Sequence, residues 1–99
     1  MGNFMEFITS DRRLVILLVL MEDSGYSVNE YVLQTCLEAL GHQVSLDRVK
    51  TDLDWLAEQG LLEVSDVAGV KVARLTGRGA DAASGKIIVP GVKRPRPRD

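Results

Sequence analysis

The strongest hydrophobic signal is Leu14 to Met21, LVILLVLM, eight consecutive apolar residues between Asp11-Arg12-Arg13 and Glu22-Asp23. A membrane-spanning helix needs about 20 apolar residues, so this run is too short to cross a bilayer. Nor does Met21-Glu22-Asp23-Ser24-Gly25 offer the small-residue cleavage site of a signal peptide. The run predicts a helix buried on more than one side. Ser10 is its expected N-cap, Asp11 faces the positive end of the helix dipole, and Ser24-Gly25 stops it. Phe4, Phe7 and Ile8 suit an earlier helical turn or a short packed arm. One face of so apolar a helix meets the core of a small domain, and the others need cover. A partner subunit is the simplest cover, which makes Leu14, Ile16, Leu17, Val19 and Leu20 candidate homodimer residues.

Two shorter amphipathic segments follow. Ser27 and Glu30 have capping-box spacing ahead of a helix over 29–40, with Val32, Leu33, Cys36, Leu37 and Leu40 at helical spacing and Gly41 at its end. Ser45 caps a third helix reaching about Gln59, stopped by Gly60. Its apolar stripe is narrow: Leu46, Val49, Leu53 and Leu56.

After Gly60 the period shortens. Leu61–Val67 and Val70–Leu75 are β-prone runs around Ala68-Gly69, a hairpin signature. Two registers fit: Leu62 and Val64 opposite Val72, or a pairing that buries Ala73 and Leu75. Thr76 caps a short helix over 77–84, closed by Gly85. The remainder, KIIVPGVKRPRPRD, holds all three prolines and is expected to be extended or disordered beyond about Pro90. The fold class is therefore mainly α with a small β-hairpin. A three-helix core, a two-stranded wing and a short C-terminal helix give the order of a winged helix-turn-helix over residues 1–85, with a basic, Pro-containing extended tail over 86–99.

Composition narrows the function classes. The 99 residues carry a formal net charge of −2, with 45% hydrophobic residues and one Cys, which describes a single small intracellular domain without disulfides. Near-balance conceals asymmetry. Residues 1–85 hold seven Lys and Arg against thirteen Asp and Glu, whereas 86–99 hold five against Asp99 alone. The alternation of Arg and Pro in KRPRPR spreads cations along an extended strand suited to phosphates or a minor groove. A solubilising tail, or one folded back on the acidic domain, is the competing reading.

The motifs also carry a resemblance. TDLDWLAEQGLLEV (Thr51 to Val64) looks like the end of a recognition helix entering a wing, as in ArsR- and MarR-like regulators. ARLTGRGADAASG (Ala73 to Gly85) is similar to the Leu-Thr-x-x-Gly step by which those families leave the wing. Together with IIVPGVKRPRP (Ile87 to Pro97), the chain resembles small winged-helix proteins of Mu-like bacteriophages and prophages. That resemblance implies a phage context and the cytoplasm of a bacterial host.

A recognition helix reads DNA with its outward residues. Here Arg48 is a candidate for guanine, and Ser45, Lys50 and Thr51 for phosphate, with Asp47, Asp54 and Glu58 opposing them on the same exposed surface. In the wing, Lys71 and Arg74 are candidates although the tip itself is not basic. The tail adds Lys93, Arg94, Arg96 and Arg98. Trp55 lies opposite the apolar stripe of the third helix, so it packs under the wing or tail or anchors a partner. Cys36 and His42 are too few for a structural metal site, which needs four ligands. Cys36 is expected in the core and His42 in a solvated or capping turn. No catalytic constellation, Walker loop or cofactor motif is present, so an enzyme is not expected. Two readings follow: a dimeric winged-helix protein binding double-stranded DNA, with transcriptional control as its candidate role, or a winged-helix adaptor for a phage or host protein.

Overall fold

The computed structural model describes residues 3–97, and the architecture is mainly α with a small antiparallel sheet. Helix α1 spans Phe4–Glu22, followed by strand β1 (Ser27–Asn29), α2 (Glu30–Ala39), α3 (Leu46–Glu58), β2 (Leu62–Val67), β3 (Val70–Leu75) and α4 (Gly77–Ser84).

Helix α1 starts earlier than its Ser10 signal. Asn3 and Glu6 form a reciprocal capping box, so Phe4, Phe7 and Ile8 belong to the same helix. Ser10, nearly two turns inside, turns its hydroxyl back onto the carbonyl of Glu6. The α2 cap also differs. Asn29 accepts from the amides of Tyr31 and Val32, while Ser27 belongs to a strand. Both α2 and α3 end in the same way: Gly41 and Gly60 adopt positive φ, and the amides that follow return to Leu37 and Leu56.

The sheet has a third strand that the sequence pattern did not announce. Its order is β1-β3-β2, all antiparallel. A three-residue strand is too short to show a period. It is held in place by Asp23, whose carboxylate accepts from the amides of Gly25 and Ser27, and by the left-handed backbone of Tyr26. In the hairpin, Leu62 pairs with Leu75 and Val64 with Ala73, so the register is the one that buries Ala73. Ala68 and Gly69 both take positive φ at the tip.

The core gathers Ile16, Leu17 and Leu20 of α1, Leu33 and Leu37 of α2, and Val49, Leu53 and Leu56 of α3. Leu61, Leu62, Ala73, Ala82, Ala83 and Val89 complete it. This corrects the proposed dimer residues. Leu14, Ile16, Leu17 and Leu20 are buried within the single chain, and Val19 is half-buried against the same core. The missing cover is α4 together with residues 86–97, which lie along α1 and contribute Ile87, Val89 and Val92. The C-terminal segment turns at Val89–Val92, where the Val92 amide donates to the Val89 carbonyl, and it remains packed on the domain beyond Pro90. The amide of Lys93 donates to the carbonyl of Ser10. Among the described residues no helix is long and apolar enough to cross a membrane.

Candidate nucleic-acid interface

Helix α3 is oriented by its narrow apolar stripe. Burial of Val49, Leu53 and Leu56 leaves Asp47, Arg48, Thr51, Asp54 and Glu58 exposed. Ser45 caps the helix through its Oγ, which accepts from the Arg48 amide at 3.1 Å. Thr51 donates its hydroxyl to the Asp47 carbonyl at 3.0 Å.

The candidate cations divide into three groups. On the side of the sheet, each lysine faces a carboxylate. Lys50 Nζ lies 3.8 Å from Oε1 of Glu30, and Lys71 Nζ lies 3.3 Å from Asp54. Glu30 itself is buried, and its Oε2 accepts from the backbone amide of Lys71, tying α2 to β3. Arg74 is exposed on the central strand, between Ser27 and Glu63. On the C-terminal segment, Lys93 donates to Asp11 at 3.1 Å and lies over the Phe7 ring, whereas Arg94 and Arg96 are exposed beside α4. Arg98 lies outside the described residues.

The third group joins α1, α3 and the C-terminal segment. Arg48, Asp52 and Trp55 are four and seven residues apart and share one side of α3. Asp52 is buried, and both its oxygens accept from Arg12 of α1. Arg13, the next residue, stacks on Trp55 with its guanidinium carbon 3.7 Å from the ring centroid, and its Nη1 donates to the carbonyl of Gly91. Trp55 is therefore packed under the C-terminal segment, one of the two placements the sequence allowed. Gly91 has a φ of +91°, and a Cβ there would come within 2.8 Å of the indole. Burial lowers the Arg13 pKa from its ordinary value, Asp52 opposes that shift, and the neighbouring Arg12 and Arg48 add to it. The guanidinium remains charged all the same.

Sequence reasoning missed Arg12, Arg13, Glu30 and Asp52 because their partners are remote in sequence. Arg12 and Asp52 are 40 positions apart, and Arg13 and Gly91 are 78 apart. The one available signal was the shared side of Arg48, Asp52 and Trp55 on α3. His42, expected in a solvated or capping turn, has a backbone amide that caps α2 but a side chain that is not solvated. It is buried, with Nε2 2.6 Å from Asp11 Oδ2. Cys36 is half-buried in a groove with Val19, Val28, Val32, Ala39 and Leu40 rather than in the core.

No protein-family model matches the chain. Among solved structures it resembles RosR of H. salinarum, with a TM-score of 0.62 and 28% identity, covering 73% of this chain and 64% of that one. It also resembles hsRosR in the hsRosR-S1 complex, with a TM-score of 0.64 and 26% identity over 79% of this chain and 69% of that one. The chain thus spans just under two thirds of the first of these RosR chains. A protein of Haemophilus influenzae is 47% identical over 77 residues, covering 77% of this chain and 74% of its own. The protein gp26 of Escherichia phage Mu is 54% identical over 93 residues, which is 94% of this chain and 96% of gp26. By that shared sequence, running nearly end to end in both proteins, the chain belongs to the family of the phage Mu protein gp26.

Proposed function

We propose that this phage-family protein is a winged helix that binds double-stranded DNA, with α3 entering the major groove and a role in transcriptional control. The observation carrying this reading is the exposed first half of α3. Arg48 and Thr51 stand outside the apolar stripe, and among the described residues Arg48 has no carboxylate within ion-pair distance. Support also comes from the RosR neighbours, which were solved as the complexes hsRosR-S1 and hsRosR-S4. Lys50 and Lys71 contribute less, because Glu30 and Asp54 already face them. The protein acts by binding rather than by catalysis, in the bacterial cytoplasm.

Anisotropy of a labelled duplex over about 50–200 mM salt tests this. Log K is expected to fall linearly with log salt, by about 0.9 per phosphate neutralised. No binding at about 50 mM salt rejects the reading. Residues 86–97 cannot simply be deleted in this assay, since Val89 is part of the core. Neutralising Arg94 and Arg96 is the informative change.

A second reading, a protein-binding adaptor, is favoured by a different surface. The apolar groove of Val19, Val28, Val32, Cys36, Ala39 and Leu40 opens between α1 and α2, with Val32 and Leu40 largely exposed. It predicts negligible duplex affinity. A homodimer, under either reading, would draw on exposed residues such as Phe4, Met5, Phe7 and Leu18 rather than on the buried face of α1.

A further inference from the structure

We propose that Arg13 and Arg48 form a phosphate-binding site at the junction of α1, α3 and the C-terminal segment, occupied by a backbone phosphate of duplex DNA. The identity of the phosphate rests on the DNA-binding reading above; the site itself rests on the geometry of the cluster.

The cluster holds three guanidinium groups, those of Arg12, Arg13 and Arg48, and one carboxylate, that of Asp52. Asp52 has both oxygens engaged by Arg12, and although its charge also acts on Arg13, one carboxylate cannot balance three guanidinium groups. Among the described residues, Arg13 is left with one hydrogen bond to a neutral carbonyl, that of Gly91, and its buried Nε has no partner. Arg48 is exposed one turn before Asp52 on the same side of α3. The nearest acid in sequence, Asp47, lies about 100° round the helix. The cluster is therefore short of an anion.

The stack on Trp55 gives the site its direction. Contact between the guanidinium and the indole, with Gly91 close to both and accepting from Nη1, restricts the plane of Arg13. A restricted guanidinium loses less entropy when it binds a planar pair of phosphate oxygens, and Arg is suited to such bidentate contacts. Burial is the main reason the Arg13 pKa is lowered, Asp52 opposes that shift, and the like charges of Arg12 and Arg48 add to it, a balance that a bound anion would tip back toward the charged form.

The stack also provides the readout. In the duplex assay, Arg48→Gln and Arg13→Gln should each reduce the salt slope by about 0.9, the loss of one phosphate contact. Arg13→Lys keeps the charge and should retain most of the slope while changing Trp55 emission. In a second arm, inorganic phosphate is titrated against the full chain and Trp55 emission is followed. A saturating change that is lost in Arg48→Gln supports the site, because Arg48 is exposed and its replacement spares the core. Duplex binding with an unaltered slope in both Gln variants overturns the site and leaves the DNA reading standing. If the wild type binds no duplex, the DNA reading falls. The phosphate titration then decides alone: a response that needs Arg48 keeps the site for a free phosphate, and no response overturns it.

Discussion

Arg12 of α1 and Asp52 of α3 form a buried pair in which Nε donates to Oδ2 at 2.5 Å and Nη2 donates to Oδ1 at 3.3 Å. Both side chains are at most 5% exposed. The pair fixes how α3 lies on α1, and therefore where Arg48 and Trp55 point. Burying two charges is costly, so the pair adds little net stability over a well-packed apolar substitute, while breaking it strands an unpaired charge. Asp52→Ala is expected to lower unfolding free energy by about 3–5 kcal/mol. The double change Arg12→Met with Asp52→Leu should recover most of that. Urea denaturation of the wild type and these two variants measures both; a loss below about 1 kcal/mol in the single variant contradicts the role.

Asp11 couples three segments, since His42 from the α2–α3 connection and Lys93 from the C-terminal segment both contact its carboxylate. Burial alone would raise its pKa, but hydrogen bonds from His42 and Lys93, with the Lys93 charge, lower it below the ordinary 3.8. A depressed folded pKa means stability that is fully present above the unfolded value and lost as pH falls through the folded value. Asp11→Asn should therefore flatten the acid limb of stability below about pH 4 and change it little in slope near neutrality. Thermal melts of both proteins from acid to neutral pH will show whether the limbs differ.

Gly91 is placed where only glycine fits comfortably. Its φ is +91°, and an added Cβ would approach the indole to 2.8 Å and Nη1 of Arg13 to 3.1 Å. Gly91→Ala should cost about 1–3 kcal/mol through strain and overpacking, and should alter Trp55 emission by opening the Arg13 stack. Unchanged emission would show that the segment is not held against the indole.

The C-terminal segment is expected to behave as part of the domain. Truncation after Gly85 removes Val89, which is almost fully buried, and uncovers Trp55 and the outer face of α1. Losing the burial of one Val side chain corresponds to about 1.5–3 kcal/mol. In a domain of this size each kcal/mol shifts Tm by about 4–8 °C, so a drop on the order of 10 °C or more is expected. Arg94→Gln with Arg96→Gln, which touches only exposed side chains, should leave Tm nearly unchanged while reducing any duplex affinity.

Local signals sufficed wherever the determinant lay within a few residues. Ser45 and Thr76 cap the helices they were expected to cap, Gly41 and Gly60 end theirs, and the period change after Gly60 marks the hairpin. Such features depend on hydrogen bonds spanning three to five positions, so composition and spacing carry them. The charge asymmetry between the acidic domain and its basic end is likewise a property of the sequence alone.

What covers the apolar helix was decided by the tertiary structure. From spacing, LVILLVLM requires burial on several sides, but nothing local distinguishes a second subunit from residues 86–97 of the same chain. The contacts that answer it, Lys93 to Ser10 and Arg13 to Gly91, close loops of about eighty residues. Whether a cation is free to meet phosphate was also beyond the sequence. Lys50, Lys71 and Arg48 look equivalent as a list of basic residues, yet Glu30 and Asp54 face the two lysines while Arg48 stands beside Arg13, with Asp52 taken by Arg12. Coulombic neutralisation depends on distance in space, and only the folded chain sets those distances.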